Sequence, residues 1–225
     1  MQPVRRTSLI AQVTEQLRAE VRSGRWPIGS RIPTEPELTE LTGTGRNTVR
    51  EAVQALVHAG MLQRRQGSGT YVVAGSEVGG TLGKYFADAR DRDVIELRLA
   101  LDTTAAALAA RRRDDADIAE LRRLLAARVA QDWRLDPDSM ATDAALHRAI
   151  VAASHNAVYL EFYDSLLPRI EEVNRAHAAK TDESYTDEHT ELVQAIIDGD
   201  PERAAGTARC LLNTVLAAYP DPDLR

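Results

Sequence analysis

The distribution of apolar residues along the chain changes character twice. From Ser8 to Ser23, Leu9, Ile10, Val13, Leu17 and Val21 fall at helical spacing, and Gly24 closes the run. A second helix is expected from Thr34, which can cap it with Glu37 three positions later, and Leu38 and Leu41 carry the pattern to Gly43. After the turn Gly43-Thr44-Gly45 a third helix follows. At about 100° per residue, Val49, Ala52, Val53 and Leu56 share one side of it, while Arg46, Asn47, Arg50 and Gln54 share another. That helix stops at Gly60, and 61–65 and 70–73 then read as short strands around Gln66-Gly67-Ser68-Gly69. Residues 1–74 are therefore expected to form a helix-turn-helix with a small β-hairpin wing.

Residues 74–83, Ala-Gly-Ser-Glu-Val-Gly-Gly-Thr-Leu-Gly, are rich in glycine and poor in large apolar residues, so 75–90 are assigned to a linker and lead-in. From Asp91 onward strand-like alternation is missing, and Ala, Leu and Arg dominate. The spacing predicts helices near 91–112, 114–132, 136–153, 156–178, 182–198 and 201–218, broken at Asp114, Asp136-Pro137, Asn156, Thr181 and Asp200-Pro201. Pro168 is expected to bend the fourth of these. The fold class is mainly α: a winged helix-turn-helix followed by an all-α antiparallel bundle over 91–220.

The polar side of the third helix carries chemistry suited to DNA. Arg46 and Arg50, one turn apart, can each pair with the N7 and O6 acceptors of guanine, Asn47 can pair with adenine, and Thr48 can touch phosphate. Arg31 and Thr34 before the second helix, and Arg65, Gln66, Gly67 and Gly69 at the wing tip, complete the expected DNA-binding set. The net charge of −6 argues against such a partner until it is divided. Residues 1–73 hold ten Arg against six Asp and Glu, a balance of plus four; the remainder holds 18 basic and 28 acidic side chains, minus ten. A basic head thus precedes an acidic body, as expected if the head meets phosphate.

Other features narrow the setting. No stretch of roughly twenty apolar residues is present, so no membrane span is expected, and the run from Met1 to Arg6 lacks the apolar core of a secretory signal. The lone Cys210 cannot pair internally, which suits a reducing cytoplasm. With 225 residues and 44% apolar side chains, the chain can hold one large or two modest domains with a real core.

In the bundle, Asp143 and His147 lie at i and i+4 and project from one helix face, the spacing a divalent metal requires. His189 shares a stripe with Val193 and Ile196 and is expected to point inward. On spacing alone, a hydrogen-bonded core histidine is the commoner reading and a metal ligand the rarer one. Arg98, one of few charges on an otherwise apolar helix, is the candidate for binding an effector's carboxylate, with a surface arginine as the alternative. Arg111-Arg112-Arg113 reads as a solvated helix end.

The first third of the chain resembles the N-terminal winged-helix domain of GntR-family transcriptional regulators, through Gly29, Arg31, Ile32, Pro33, Glu35, Leu38, Arg46, Thr48-Val49-Arg50-Glu51-Ala52, Leu56, Gly60 and Gly67-Ser68-Gly69-Thr70-Tyr71-Val72. Two positions depart from it: Pro36 stands where many relatives carry a DNA-contacting Arg, and Gly45 where a Ser would cap the reading helix. The segments from Asp143 to Asn156 and from Glu188-His189 to Pro201, with Glu96-Leu97-Arg98, Leu101-Asp102 and Leu108-Ala109-Ala110, resemble the helical FCD effector domain of the FadR branch. That resemblance implies a divalent metal, zinc or another transition metal, held by Asp143, His147 and His189 and completed by a small carboxylate effector; Arg98 and Asn156 are placed at the effector. The fourth ligand would fall on Leu211, which cannot bind a metal, and Cys210 and Asn213 point off that face. Two readings stay open: a three-ligand metal site, or a metal-free pocket in which His147 and His189 donate to an anion.

The function expected is a ligand-responsive transcriptional regulator, a homodimer bound to an inverted-repeat operator in double-stranded DNA and released from it by a small organic acid. The alternative is a metal-dependent hydrolase or lyase built on Asp143, His147 and His189. It lacks an acid or base at a fixed offset, such as the Glu of H-E-x-x-H, and leaves the winged helix unexplained.

Overall fold

The computed structural model describes residues 8–131, 139–181 and 183–221. The run from Met1 to Arg6, the expected break at Asp136-Pro137 and the expected helix start at 182 lie outside the described residues. Contacts divide the chain into two compact units, Met1–Lys84 and Tyr85–Arg225.

The first unit opens with helix α1 (Leu9–Arg22), capped by Ser8, whose hydroxyl accepts from the Ala11 amide. Helix α2 (Glu35–Thr42) carries the expected capping box between Thr34 and Glu37. Helix α3 (Arg46–His58) starts at Gly45, which offers no side chain to cap it. One row from each helix, with Ile32, Met61, Leu62 and Val72, closes a single core: Val13, Leu17 and Val21 from α1, Leu38 from α2, and Val49, Ala52, Val53 and Leu56 from α3. The short α2 presents only Leu38 to that core; Leu41, expected beside it, is 72% exposed.

The wing is strand β1 (Leu62–Arg65) antiparallel to β2 (Gly69–Val72), with Leu62 opposite Val72 and Arg65 opposite Gly69. The backbone before α2 runs along β2: Ile32 N donates to Thr70 O at 2.9 Å, and Val72 N to Ser30 O at 2.9 Å. Wing and helix-turn-helix are thus joined by main-chain bonds. Gly69, at φ +122°, also leaves room for Arg31, whose Nε would lie 2.6 Å from a Cβ there.

The glycine-rich stretch read as a linker is mostly helix α4 (Glu77–Ala87), which crosses the division between the units. Gly80 in it serves close approach, not looseness. A Cβ on Gly80 would lie 2.4 Å from the carbonyl oxygen of Gly60, the turn that ends α3, so backbone rests on backbone. Composition suggested flexibility because a glycine that admits a neighbour and one that loosens a chain are spelled alike.

The second unit comprises α5 (Asp91–Arg112), α6 (Asp115–Ala130), α7 (Ser139–Ala153), α8 (Ala157–Ala178), α9 (Thr186–Asp198) and α10 (Pro201–Ala217). A capping box between Asp114 and Asp117 starts α6, and Asp200 followed by Pro201 starts α10. Helix α8 continues on both sides of Pro168. The central element is α5, which packs on α7, α8, α9 and most extensively on α10. Ala106, Ala109 and Ala110 of α5 and Ala204 and Ala208 of α10 are fully buried, and such small residues let helix axes come close. Toward its N-terminus the inner face of α5 changes from alanine to Arg98 and Asp102, and there the bundle opens into a pocket.

Candidate functional site

On the first unit, α3 divides as its pattern requires. Val49, Ala52, Val53 and Leu56 are buried, while Arg46, Asn47 and Arg50 are exposed and Thr48 is half-buried. Arg31, Thr34, Arg65, Gln66 and Gly67 are exposed as well, and Gly69 is half-buried. Arg65 lies over the ring of Tyr71, 4.4 Å from its centroid, and Tyr71 Oη is 2.7 Å from Ser68 Oγ, which stiffens the wing tip. Glu35, absent from the expected set, ties the pieces together. Its Oε2 is 3.4 Å from Arg50 Nε and its Oε1 is 3.1 Å from Arg64 Nη2. No local pattern marks such a contact across 29 positions. Glu37 is held below the usual carboxylate range by the Thr34 backbone amide and hydroxyl that it accepts from.

On the second unit, polar side chains from four helices close a ring. Asp102 Oδ2 accepts from Arg98 Nε at 3.1 Å; Arg98 Nη1 donates to Asn174 Oδ1 at 2.9 Å; Asn174 Nδ2 donates to Asp143 Oδ2 at 3.0 Å. Asp143 Oδ1 lies 3.2 Å from His189 Nε2, the two Nε2 atoms of His189 and His147 are 3.1 Å apart, and His147 Nδ1 lies 3.2 Å from Asp102 Oδ2. Arg128 of α6 joins from outside, with Nε 2.8 Å from Asp143 Oδ1 and Nη2 2.7 Å from the Ser184 carbonyl. Helix α10 contributes no polar group to the cavity; Leu211, Leu212 and Val215 form its apolar wall.

Burial sets the electrostatics. It opposes charge on Asp143, yet the hydrogen bond from His189 and the fields of His189, His147 and Arg128 hold that carboxyl well below its ordinary range. For His147 burial lowers the pKa and the neighbouring Arg98 adds to it, against the raising effect of Asp102 and Asp143. Burial also opposes the charge of Arg98, but the carboxylates of Asp102 and Asp143 raise its pKa above the usual guanidinium value. The alternative of a surface arginine is thereby removed, since Arg98 is 5% exposed.

The donor set suits a divalent ion with three protein ligands. The ligand atoms of Asp143, His147 and His189 lie within 4.8 Å of one another. His189 Nδ1 is 2.5 Å from the Tyr185 carbonyl and His147 Nδ1 faces Asp102, so each ring has an outer acceptor for an Nδ1–H. With both protons placed there, the two Nε2 lone pairs would be turned toward a cation held with Asp143. Leu211 adds no fourth donor, and Cys210 and Asn213 are both exposed.

One expected residue falls elsewhere. Asn156 does not line the cavity; its Oδ1 accepts from the Val158 and Tyr159 amides at 3.1 and 3.3 Å and caps α8. Asparagine is a strong N-cap, and an oxygen used this way is not free for an effector. Conversely, Asp102, Arg128, Asn174, His177 and Tyr185 border the ring or cavity without having been singled out as site residues. For Asp102 a signal existed, an opposite charge at i+4 from Arg98. For the others there was none, because their partners are on other helices. Among the described residues a second cluster, Asp114, Asp117 and His155, is accounted for by the cap of α6 and a 2.7 Å contact between His155 and Asp117.

Comparison with known proteins agrees with both halves. Residues 9–72 match the bacterial regulatory proteins of the gntR family, and residues 93–214 match the FCD domain. The chain is 28% identical over 208 residues to the putative L-lactate dehydrogenase operon regulatory protein of Escherichia coli K12, covering 86% of this chain and 79% of that one. It is 26% identical over 231 residues to the transcriptional repressor NanR of Edwardsiella tarda, covering 96% and 87%. Among solved structures, Streptococcus agalactiae GntR aligns with a TM-score of 0.60 at 26% identity, covering 92% of this chain and 99% of that one. No described helix is long and apolar enough to cross a membrane. The hydrolase or lyase reading of the buried cluster is left without support, because both matched families are those of regulators. The chain belongs to the gntR family of bacterial regulatory proteins, carries an FCD domain, and is a DNA-binding transcriptional regulator, not an enzyme.

Proposed function

We propose that this regulator is a cytoplasmic homodimeric repressor that holds an inverted-repeat operator and releases it on binding a small organic acid. The observation carrying this reading is the buried polar ring beside a cavity, located in a different unit from the exposed face of α3. Buried charges are expensive, and a set of them converging on an open space is the signature of a ligand site. The cavity has a volume of about 60 Å³, enough to admit water and so to be occupied by a small polar ligand. Arg98 and Arg128 supply positive charge for a carboxylate, Asn174 orients it, and Leu211, Leu212 and Val215 take the carbon skeleton.

Asp143, His147 and His189 are the residues that would hold a divalent ion, which when bound supplies a Lewis acid for the effector's oxygens. A second, metal-free reading is favoured by one contact, the Arg128 guanidinium already 2.8 Å from Asp143 Oδ1. In either case the effector acts only by its differential affinity for two arrangements of the protein. A two-fold dimer places two α3 helices about one DNA turn apart, which is why an inverted repeat is the operator expected.

The test starts from duplexes selected by the protein out of random DNA. Release is then measured with a panel of small carboxylic acids, including the 2-hydroxy acids suggested by the lactate-operon relative, with and without chelator. Arg50→Ala is expected to abolish sequence-specific binding with the second unit folded; His147→Ala is expected to weaken the acid's effect but not operator binding. An unchanged dose response in His147→Ala removes the cavity from the reading. Loss of response on chelation selects the metal-dependent form, and an unchanged response the metal-free one.

A further inference from the structure

We propose that Arg64, on the wing strand, reads DNA in concert with Arg50, and that Glu35 is the positioning residue that sets the distance between them. This rests on α3 being the DNA-facing helix.

Three elements meet at one carboxylate. Glu35 is the first residue of α2; its Oε2 faces Arg50 of α3 and its Oε1 faces Arg64 of β1, at 3.4 and 3.1 Å. Strand alternation separates the two adjacent wing arginines. Arg65 projects over Tyr71 on one face of the hairpin, while Arg64 shares the other face with buried Leu62, on the side of α3. The pair Arg64-Arg65 therefore does two different things, one at the wing tip and one beside the reading helix.

The bonding leaves both guanidinium groups able to bind a base. Arg50 uses Nε and Arg64 uses Nη2 toward Glu35, so each keeps further N–H groups for acceptors such as guanine N7 and O6. Their side chains are 60% and 42% exposed. One carboxylate cannot neutralise two guanidinium groups, and the surplus positive charge lies at the edge of the α3 face. Exposed ion pairs of this kind add little to folding stability, so the bridge's effect is on placement, where a planar fork gains from being pre-oriented.

The test uses the full chain and its best duplex selected from random DNA, together with every single-base variant of that duplex, over a salt series. Wild type, Arg50→Ala, Arg64→Ala, Arg64→Lys and Glu35→Gln are compared, with thermal melting of each. Arg64→Ala is expected to lower affinity and to flatten discrimination at one base pair per half-site by about tenfold. Arg64→Lys should restore the salt dependence but not that discrimination. Glu35→Gln should bind unrelated DNA more tightly and lose at least about fivefold in discrimination, with melting unchanged. Uniform weakening of Arg64→Ala on all duplexes, with one unit less of salt slope, overturns the proposal and makes Arg64 a phosphate contact. Full discrimination in Glu35→Gln overturns the positioning role. Full sequence preference in Arg50→Ala would instead sink the assignment of α3 as the reading helix, a separate failure.

Discussion

The two units of this regulator place their charge on opposite sides of their surfaces. In the described part of the first unit the one buried polar residue is Thr14, whose hydroxyl donates to the Ile10 carbonyl one turn back. The second unit buries Arg98, Asp102, Asp143, His147, His177 and His189. The first unit is an apolar core with its cations outside, suited to a long polyanion that never enters the protein. The second encloses its ions, suited to a small ligand that leaves water to bind. The difference separates two kinds of risk: surface charges can be changed with little effect on folding, whereas each buried one is tied to its partners.

Arg98 offers the hardest test of that contrast. Arg98→Ala leaves the buried Asp102 and the half-buried Asn174 without their guanidinium partner, and breaking a buried pair of this kind costs about 3–5 kcal/mol. Hydrogen exchange on the full chain should show lost protection throughout α5, α7 and α9 with the amides of α3 unchanged. Replacing both Arg98 and Asp102 by apolar residues should be less destabilising than removing Arg98 alone. Equal losses of protection in both units would break the comparison.

Gly80 tests the first unit at a tight backbone crossing. A methyl group there meets the Gly60 carbonyl oxygen at 2.4 Å, and that oxygen cannot swing aside as a flexible side chain would. Gly80→Ala should cost about 1–3 kcal/mol, the range for overpacking, read as a lower melting point of the first unit. Wild-type stability would show that α4 can lift from Gly60 without loss.

Much of the contrast was legible in the chain. Caps and helical spacing located α1 to α3, the wing and the helices of the second unit, because those signals are local and repeat every turn. The inward direction of His189 followed from its stripe with Val193 and Ile196. What was not legible depends on which elements meet. Glu35 finding Arg64, Arg128 finding Asp143, and Asn174 closing the ring are contacts between distant segments, and a polar residue looks the same in sequence whichever neighbour it meets. Asn156 and Gly80 were misread for a related reason, since one residue type serves two purposes and only the packing distinguishes them.

Acid should separate the units again, by a smaller amount. Burial holds the pKa of His147 and of His177 below the ordinary 6.5, with Arg98 adding to the first and Lys180 to the second. The unfolded chain then takes up protons first, so stability is complete above 6.5 and falls as pH drops below it. In the first unit Glu37 is a carboxylate held below 4.5, and its contribution is lost only at lower pH still. Melting followed unit by unit in the presence of chelator should show the second unit weakening between pH 7 and about 5.5 while the first holds. Parallel decline would mean that the buried imidazoles are not what distinguishes them.

The smallest effect sharpens the comparison from the other side. Gly45 caps α3 with backbone alone, and a Cβ added there meets nothing within 4 Å. Its φ of −70° and ψ of 150° are those of an ordinary N-cap, so a serine can take its place without strain and bond an amide of the first turn. Gly45→Ser should therefore stabilise the first unit by a few tenths of a kcal/mol, the difference between Ser and Gly caps. The position adjoins Arg46 at the start of the reading helix, so the same hydroxyl stands where phosphate would approach. If the surface of this unit serves DNA and not folding, the variant's change in operator affinity should exceed what its change in melting accounts for. A gain in stability with no change in affinity would place the phosphate path away from the start of α3.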